Sequence, residues 1–175
     1  MTALISEKGK RPPLLDIEDY VIVGPGAADH RKRWPHENFA KVISYLVKTC
    51  HERVIIVGDK ADARVADLMF QKFPEDIVNL CGQTSLMELA TVLSRAKLAL
   101  LNDSGVMHMA SYLNIPIVAL FGPTDPCLYG PWSDRSIAIR KGNNMEMISL
   151  EDVTSAMDTF LGHANLQADD RQKRS

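Results

Sequence analysis

Leu98-Ala99-Leu100-Leu101-Asn102-Asp103-Ser104-Gly105-Val106-Met107-His108-Met109-Ala110 is the stretch whose reading decides the fold. An apolar run breaks at Asn-Asp-Ser-Gly, a helical pattern follows, and a second apolar run covers residues 116–121. A chain that leaves a buried strand through such a break presents free backbone N–H groups at the helix start. Those groups and the helix dipole suit an anion such as a phosphate. Ser104 reads as the N-cap and Gly105 as a point where a ligand can approach the backbone. Asp103 reads as an acceptor for sugar hydroxyls. His108 lies one turn into the helix, with its side chain directed back toward the same terminus.

Strand-like and helix-like segments alternate on either side of this corner. Residues 20–23 form an apolar run ended by Gly24-Pro25-Gly26. Pro35 is expected at a first helical position, with Phe39, Val42, Ile43 and Leu46 following at helical spacing. Residues 54–57 predict a second strand, and Val65, Leu68 and Met69 the buried face of a second helix. Residues 77–81 predict a third strand. Ser85 and Glu88 then form a capping box for a helix expected to bury Leu86, Leu89, Ala90 and Leu93. Residues 98–101 and 117–121 are the next strands, separated by a helix over 105–114. Residues 137–139 predict a last strand, and Ser149 opens a final helix through Leu161. Continuous apolar strands alternating with helices predict an α/β, Rossmann-like, mostly parallel sheet with helices on both faces. Ligands of such sheets bind at the carboxyl ends of the strands. Residues 1–19 read as a linker or terminal arm, 20–162 as one Rossmann-like domain, and 163–175 as a polar tail.

The 175 residues suffice for one substantial core. An apolar fraction of 46% with only 6% aromatics suits an aliphatic α/β interior, and a formal charge of -2 gives no electrostatic case for nucleic acid. Three scattered cysteines, Cys50, Cys81 and Cys127, argue for reduced thiols over a disulfide framework, and Cys50-His51 has no second pair at metal-ligand spacing. No metal site is expected. Neither a secretory signal nor a membrane-length apolar run is present, so the expected location is cytoplasmic.

Two segments resemble sites of other chemistries. Gly24-Pro25-Gly26 invites a dinucleotide-binding reading, but the third glycine position holds Asp29, and Asp59 lies well beyond the ~20-residue spacing of a ribose-binding acid. Ser104 and His108 invite a nucleophile and base, yet the hydrolase elbow is absent because Asn102 and Val106 stand where it needs glycines. The basic triplet Arg31-Lys32-Arg33 would ordinarily be a solvated loop. Beside the anion corner at residues 102–105 it becomes a phosphate partner. Trp34 reads as a packing anchor for that loop rather than a base-stacking platform.

Five segments occur in order: Gly24-Pro25-Gly26-Ala27, Lys32-Arg33-Trp34-Pro35, Gly82-Gln83-Thr84-Ser85-Leu86, residues 102–108, and Phe121-Gly122-Pro123-Thr124-Asp125-Pro126. Together they resemble the C-terminal domain of the ADP-heptose:lipopolysaccharide heptosyltransferases, glycosyltransferase family 9, with the second inner-core type the nearest. The resemblance covers roughly residues 20–162. It implies the C-terminal half of a GT-B enzyme, an inverting glycosyltransferase that moves heptose from ADP-heptose to the lipopolysaccharide inner core. By resemblance, Lys32 contacts the donor phosphate near the Ala27-Ala28 backbone, Asp62 takes the ribose hydroxyls, and Thr84 lines the nucleobase. Asp103, Ser104, Gly105 and His108 would hold sugar and diphosphate. No cofactor is implied beyond the nucleotide-sugar donor. The implied partners are a lipopolysaccharide core acceptor and an N-terminal GT-B half, to which the family's catalytic carboxylate belongs; no catalytic residue is therefore expected in this chain. Location would be cytoplasmic or peripheral at the inner face of the cytoplasmic membrane. Two alternatives stay open: a non-catalytic nucleotide-sugar-binding module and a dinucleotide-binding oxidoreductase domain.

Overall fold

The structure, a computed structural model, describes residues 19–63, 66–67 and 71–162. Six parallel strands form one sheet: β1 (Tyr20–Gly24), β2 (Arg53–Ile56), β3 (Ile77–Asn79), β4 (Leu98–Asn102), β5 (Ile117–Phe121) and β6 (Ser136–Arg140). Their order is β3-β2-β1-β4-β5-β6. The chain therefore winds outward one way from β1, then crosses back to β4 and winds the other way. The switch lies between β1 and β4, where Val21 stands beside Leu98 and Gly24 beside Leu101. In open parallel sheets, the loops that follow the two strands at such a point flank the ligand site at the carboxyl edge.

The central strands β1, β4 and β5 are buried along their whole length because helices cover both faces of the sheet. Five helices are described: α1 (His36–Lys48), α2 (Leu86–Ser94), α3 (Gly105–Tyr112), the single turn α4 (Pro126–Tyr129) and α5 (Leu150–Leu161). Alternate strand residues divide the core. Val21, Val23, Val54 and Leu100 pack with Phe39, Ile43 and Leu46 of α1 and with Val153 and Met157 of α5. Ile22, Ile55, Ala99 and Leu101 pack on the other side with Val92 and Leu93 of α2 and Met107 and Ala110 of α3. All four residues expected to face inward from α1 are buried.

The differences from expectation have local causes. Pro35 is the N-cap of α1, one position before the expected helical start, with φ -53° and ψ 133°. α3 stops at Tyr112 because Asn114 takes a left-handed φ of 55°, a conformation asparagine tolerates and which closes a helix. The capping box at Ser85 is present and Leu93 is buried as expected, but Leu86 is exposed, Leu89 and Ala90 are only half-buried, and Val92 is buried in their place. A helix following a parallel strand starts at the carboxyl edge, so its first turn overhangs the sheet and has little beneath it. The α4 turn was not anticipated from the sequence. The expected second helical face (Val65, Leu68, Met69), the tail from 163 and the arm up to residue 18 lie outside the described residues.

Candidate functional site

The β4–α3 corner forms as the sequence required. Ser104 has extended backbone geometry, φ -151° and ψ 168°, and its Oγ accepts from Met107 N–H at 3.4 Å. That leaves the N–H groups of Gly105 and Val106, which the helix itself cannot satisfy, at the carboxyl edge. A Cβ added to Gly105 would meet no protein atom within 4 Å, so the space over the helix start is open.

Beside this corner, the β1–α1 connection is long and well pinned. Asp29 caps a 3-10 turn, His30–Lys32, and also binds the Arg31 guanidinium, which holds its carboxyl down at about 2. Arg33 Nε donates to Ala27 O at 2.7 Å, closing the loop on itself. Trp34 is fully buried, stacks edge-on against Phe39, and donates from Nε1 to Ile148 O. It is a packing anchor. Asn102, buried at the end of β4, accepts from Trp34 N–H through Oδ1 and donates through Nδ2 to Pro25 O at 2.8 Å. One amide thus fixes both ends of the loop that carries Lys32. Sequence reasoning named no role for Asn102; its signal was a polar residue ending an otherwise apolar strand.

These anchors bring Lys32 over the switch point. Lys32 Nζ lies 2.8 Å from Asp103 Oδ2, with the lysine one-quarter exposed and the aspartate buried. Thr124 Oγ1, from the loop after β5, donates to the same oxygen. Thr124 belongs to the segment 121–126, and the sequence alone assigns it no role. A hydroxyl in a Pro-Thr-Asp-Pro turn facing a strand-end acid was the available clue.

Asp62 stands on the other flank of β1. It is buried, and its Oδ2 accepts from Asp59 N–H at 3.1 Å, while Oδ1 is buried with no hydrogen-bond donor. A Cβ on Gly26 would fall 2.2 Å from Asp62 Oδ2, and one on Gly58 2.6 Å, so both glycines are needed for the carboxylate to wedge between the loops after β1 and β2. Burial pushes its pKa up.

The seven expected residues are not one contact cluster. Lys32, Asp103, Ser104 and Gly105 meet at the switch point. His108 is exposed one turn along α3, and its ring centroid lies 6.4 Å from that of Trp132. Asp62 reaches the β1 loop at Gly26. Thr84 sits half-buried in the loop between β3 and α2, on the same edge, and no hydrogen bond joins it to the other six. The arrangement offers a cation, two free helix N–H groups and a carboxylate at the centre, with a second, proton-hungry carboxylate toward β2. It can grip an anionic ligand bearing hydroxyls.

Residues 3–158 match the family model for glycosyltransferase family 9 (heptosyltransferase). The chain belongs to glycosyltransferase family 9. Among relatives in the family, lipooligosaccharide heptosyltransferase 2 of Haemophilus influenzae is 35% identical over 143 residues, covering 79% of this chain and 38% of that protein. Lipopolysaccharide heptosyltransferase 3 of Escherichia coli is 32% identical, covering 76% and 40%. The solved Escherichia coli ADP-heptose lipopolysaccharide heptosyltransferase II superposes with a TM-score of 0.74 at 28% identity, over 83% of this chain and 47% of that one. A Veillonella parvula family 9 glycosyltransferase gives 0.75 at 27%, over 85% and 47%. The chain thus spans between about a third and two-fifths of the length of the curated family 9 relatives it matches. The family match spans all seven site residues named from sequence. Among the described residues, no helix is long and apolar enough to cross a membrane.

Proposed function

We propose that this chain is the donor-binding half of an inverting heptosyltransferase that takes ADP-heptose and serves transfer of heptose to the lipopolysaccharide inner core. The observation that carries this reading is the meeting of Lys32, Asp103 and the α3 start at the β1–β4 switch point. Family membership supplies the ligand class, and the name of the solved heptosyltransferase II supplies ADP-heptose as the candidate donor.

In this reading the diphosphate lies over Gly105 and Val106 N–H, with Lys32 on its flank. Asp103 turns its carboxylate to the sugar hydroxyls, and His108 closes the sugar end. Asp62 Oδ1 accepts from the ribose, and Thr84 borders the base. An acceptor hydroxyl attacks the anomeric carbon on the face opposite the diphosphate. The bond from that carbon to the phosphate oxygen breaks, and the departing negative charge falls on groups already aimed at it. The acceptor, and the base that takes its proton, belong to an N-terminal GT-B half. The protein works in the cytoplasm, peripheral at the inner face of the membrane where its acceptor is presented.

A thermal-shift panel of ADP-heptose, ADP, UDP, GDP and NAD tests the reading, because a ligand of the folded state stabilises with the logarithm of its concentration over Kd. ADP and ADP-heptose should raise the melting temperature while UDP and GDP do little. Stabilisation by NAD alone, or by none of the five, would overturn the donor assignment.

A further inference from the structure

Trp132 is the second of two tryptophans, and it is placed opposite in character to Trp34. Its side chain is 82% exposed. A single exposed ring means little, but this one ends a short stretch that also exposes Leu128 and Tyr129. The stretch is not slack. Asp125 caps the α4 turn through Cys127 N–H, and Gly130 N–H donates to Pro126 O at 2.8 Å. A Cβ on Gly130 would lie 2.2 Å from that same oxygen, so only glycine permits the closure. Trp132 N–H and Ser133 N–H both donate to Ser111 Oγ on α3, at 2.7 and 3.2 Å. At the other end, Thr124 is bonded to Asp103. One end of the loop is therefore tied to Asp103 at the β4–α3 corner and the other to the last turn of α3, and the indole lies 6.4 Å from the ring of His108, one turn into the helix, at a 47° tilt.

The position is on the β5 side of the switch point. The nucleotide-facing loops follow β1, β2 and β3, on the opposite side of Asp103. An apolar plane beside a hydrogen-bonding group, the His108 imidazole, matches the surface of a sugar ring. A pyranose has a face of C–H groups and a rim of hydroxyls, and an indole offers a wide, rigid surface at the cost of fixing only two side-chain torsions.

We propose that Trp132 is a stacking platform for a pyranose ring at the sugar end of the donor corner, a specificity residue for carbohydrate and not for nucleotide. The proposal rests on the donor-domain reading for its location. Either the transferred sugar or an acceptor core sugar supplies such a ring, and the test separates them.

Calorimetry on the whole chain compares wild type, Trp132→Phe and Trp132→Ala with ADP, ADP-heptose and a deacylated core oligosaccharide, after melting curves confirm the fold of each. Trp132→Ala should leave ADP affinity within twofold and weaken one sugar-bearing ligand five- to tenfold, with Trp132→Phe recovering part of the loss. Loss with ADP-heptose identifies the transferred sugar; loss with the oligosaccharide identifies the acceptor. Because Trp34 is buried, a blue shift of the exposed indole's emission on adding the sugar ligand is the independent readout. Wild type that fails to bind ADP yet shows the Trp132-dependent shift with oligosaccharide would end the donor reading and keep the platform. Unchanged affinity for both sugar ligands in Trp132→Ala, or equal losses for ADP and ADP-heptose, would overturn it. So would unchanged sugar binding joined to lost association with an added N-terminal half, which would make the ring a protein contact.

Discussion

Lys32 and Asp103 satisfy one another across 2.8 Å, so neither can be removed without consequence for the other. Lys32→Ala leaves a buried carboxylate with only the Thr124 hydroxyl, a loss of roughly 1–3 kcal/mol in stability. Asp103→Asn in the same background should recover part of it, and denaturant unfolding of the two single variants and the double variant measures the coupling. Strict additivity would mean that the pair does not form in solution. Lys32→Ala should also weaken ADP while leaving adenosine nearly unchanged. Asp62 makes a different prediction. Its folded carboxyl titrates above the ordinary 3.8 because burial disfavours the charge. Its contribution to stability therefore declines as pH rises from the unfolded value through the folded one. A ribose hydroxyl donating to Oδ1 favours the charged form, so ADP should pull the pKa back down. Carboxyl NMR titration with and without ADP reads this directly; a pKa that ADP leaves unmoved, with ADP bound, would take Asp62 out of the site.

At the scale of elements, α3 depends on Ser104 in two separable ways. As N-cap, its hydroxyl satisfies Met107 N–H, and Ser104→Ala should cost about 1 kcal/mol, Ser104→Gly only a few tenths. Ser104→Asp keeps the cap but sets a negative charge beside the diphosphate position. Unfolding should then be near wild type while ADP affinity drops severalfold; full ADP affinity in that variant would move the phosphate away from α3. This corner was legible in the sequence because a cap, a glycine and two apolar runs are local signals. The α1 face and both strands flanking the switch point were legible for the same reason, through uninterrupted periodicity. Less accessible were features fixed by residues far apart in the chain. Asn102 meets Pro25 and Trp34 across 77 and 68 positions, and Thr124 meets Asp103 across 21. No spacing rule reports such pairings. Leu86 misled because helical period gives the direction of a side chain, not whether sheet lies beneath it.

For the molecule as a whole, the donor contacts proposed above all sit on one edge of one sheet. Acceptor activation needs a base within hydrogen-bond reach of the attacking hydroxyl, and assembling both substrates supplies much of the rate. This chain incubated with ADP-heptose and a deacylated core acceptor should bind donor and transfer little sugar, and an N-terminal half from a relative should raise turnover. Multiple turnover by the chain alone, at the rate of full-length relatives, would require a base among the residues described here. The Tyr45 hydroxyl bonded to Asp158 at 2.7 Å carries a further implication. It joins the last turns of α1 and α5, which both run against the strands and finish at the amino edge, where β1 also begins. The chain enters and leaves the domain through the same doorway, on the side away from the ligand. Fusions, tethers or a peptide joining residues 20 and 162 could be added there without disturbing a single donor contact.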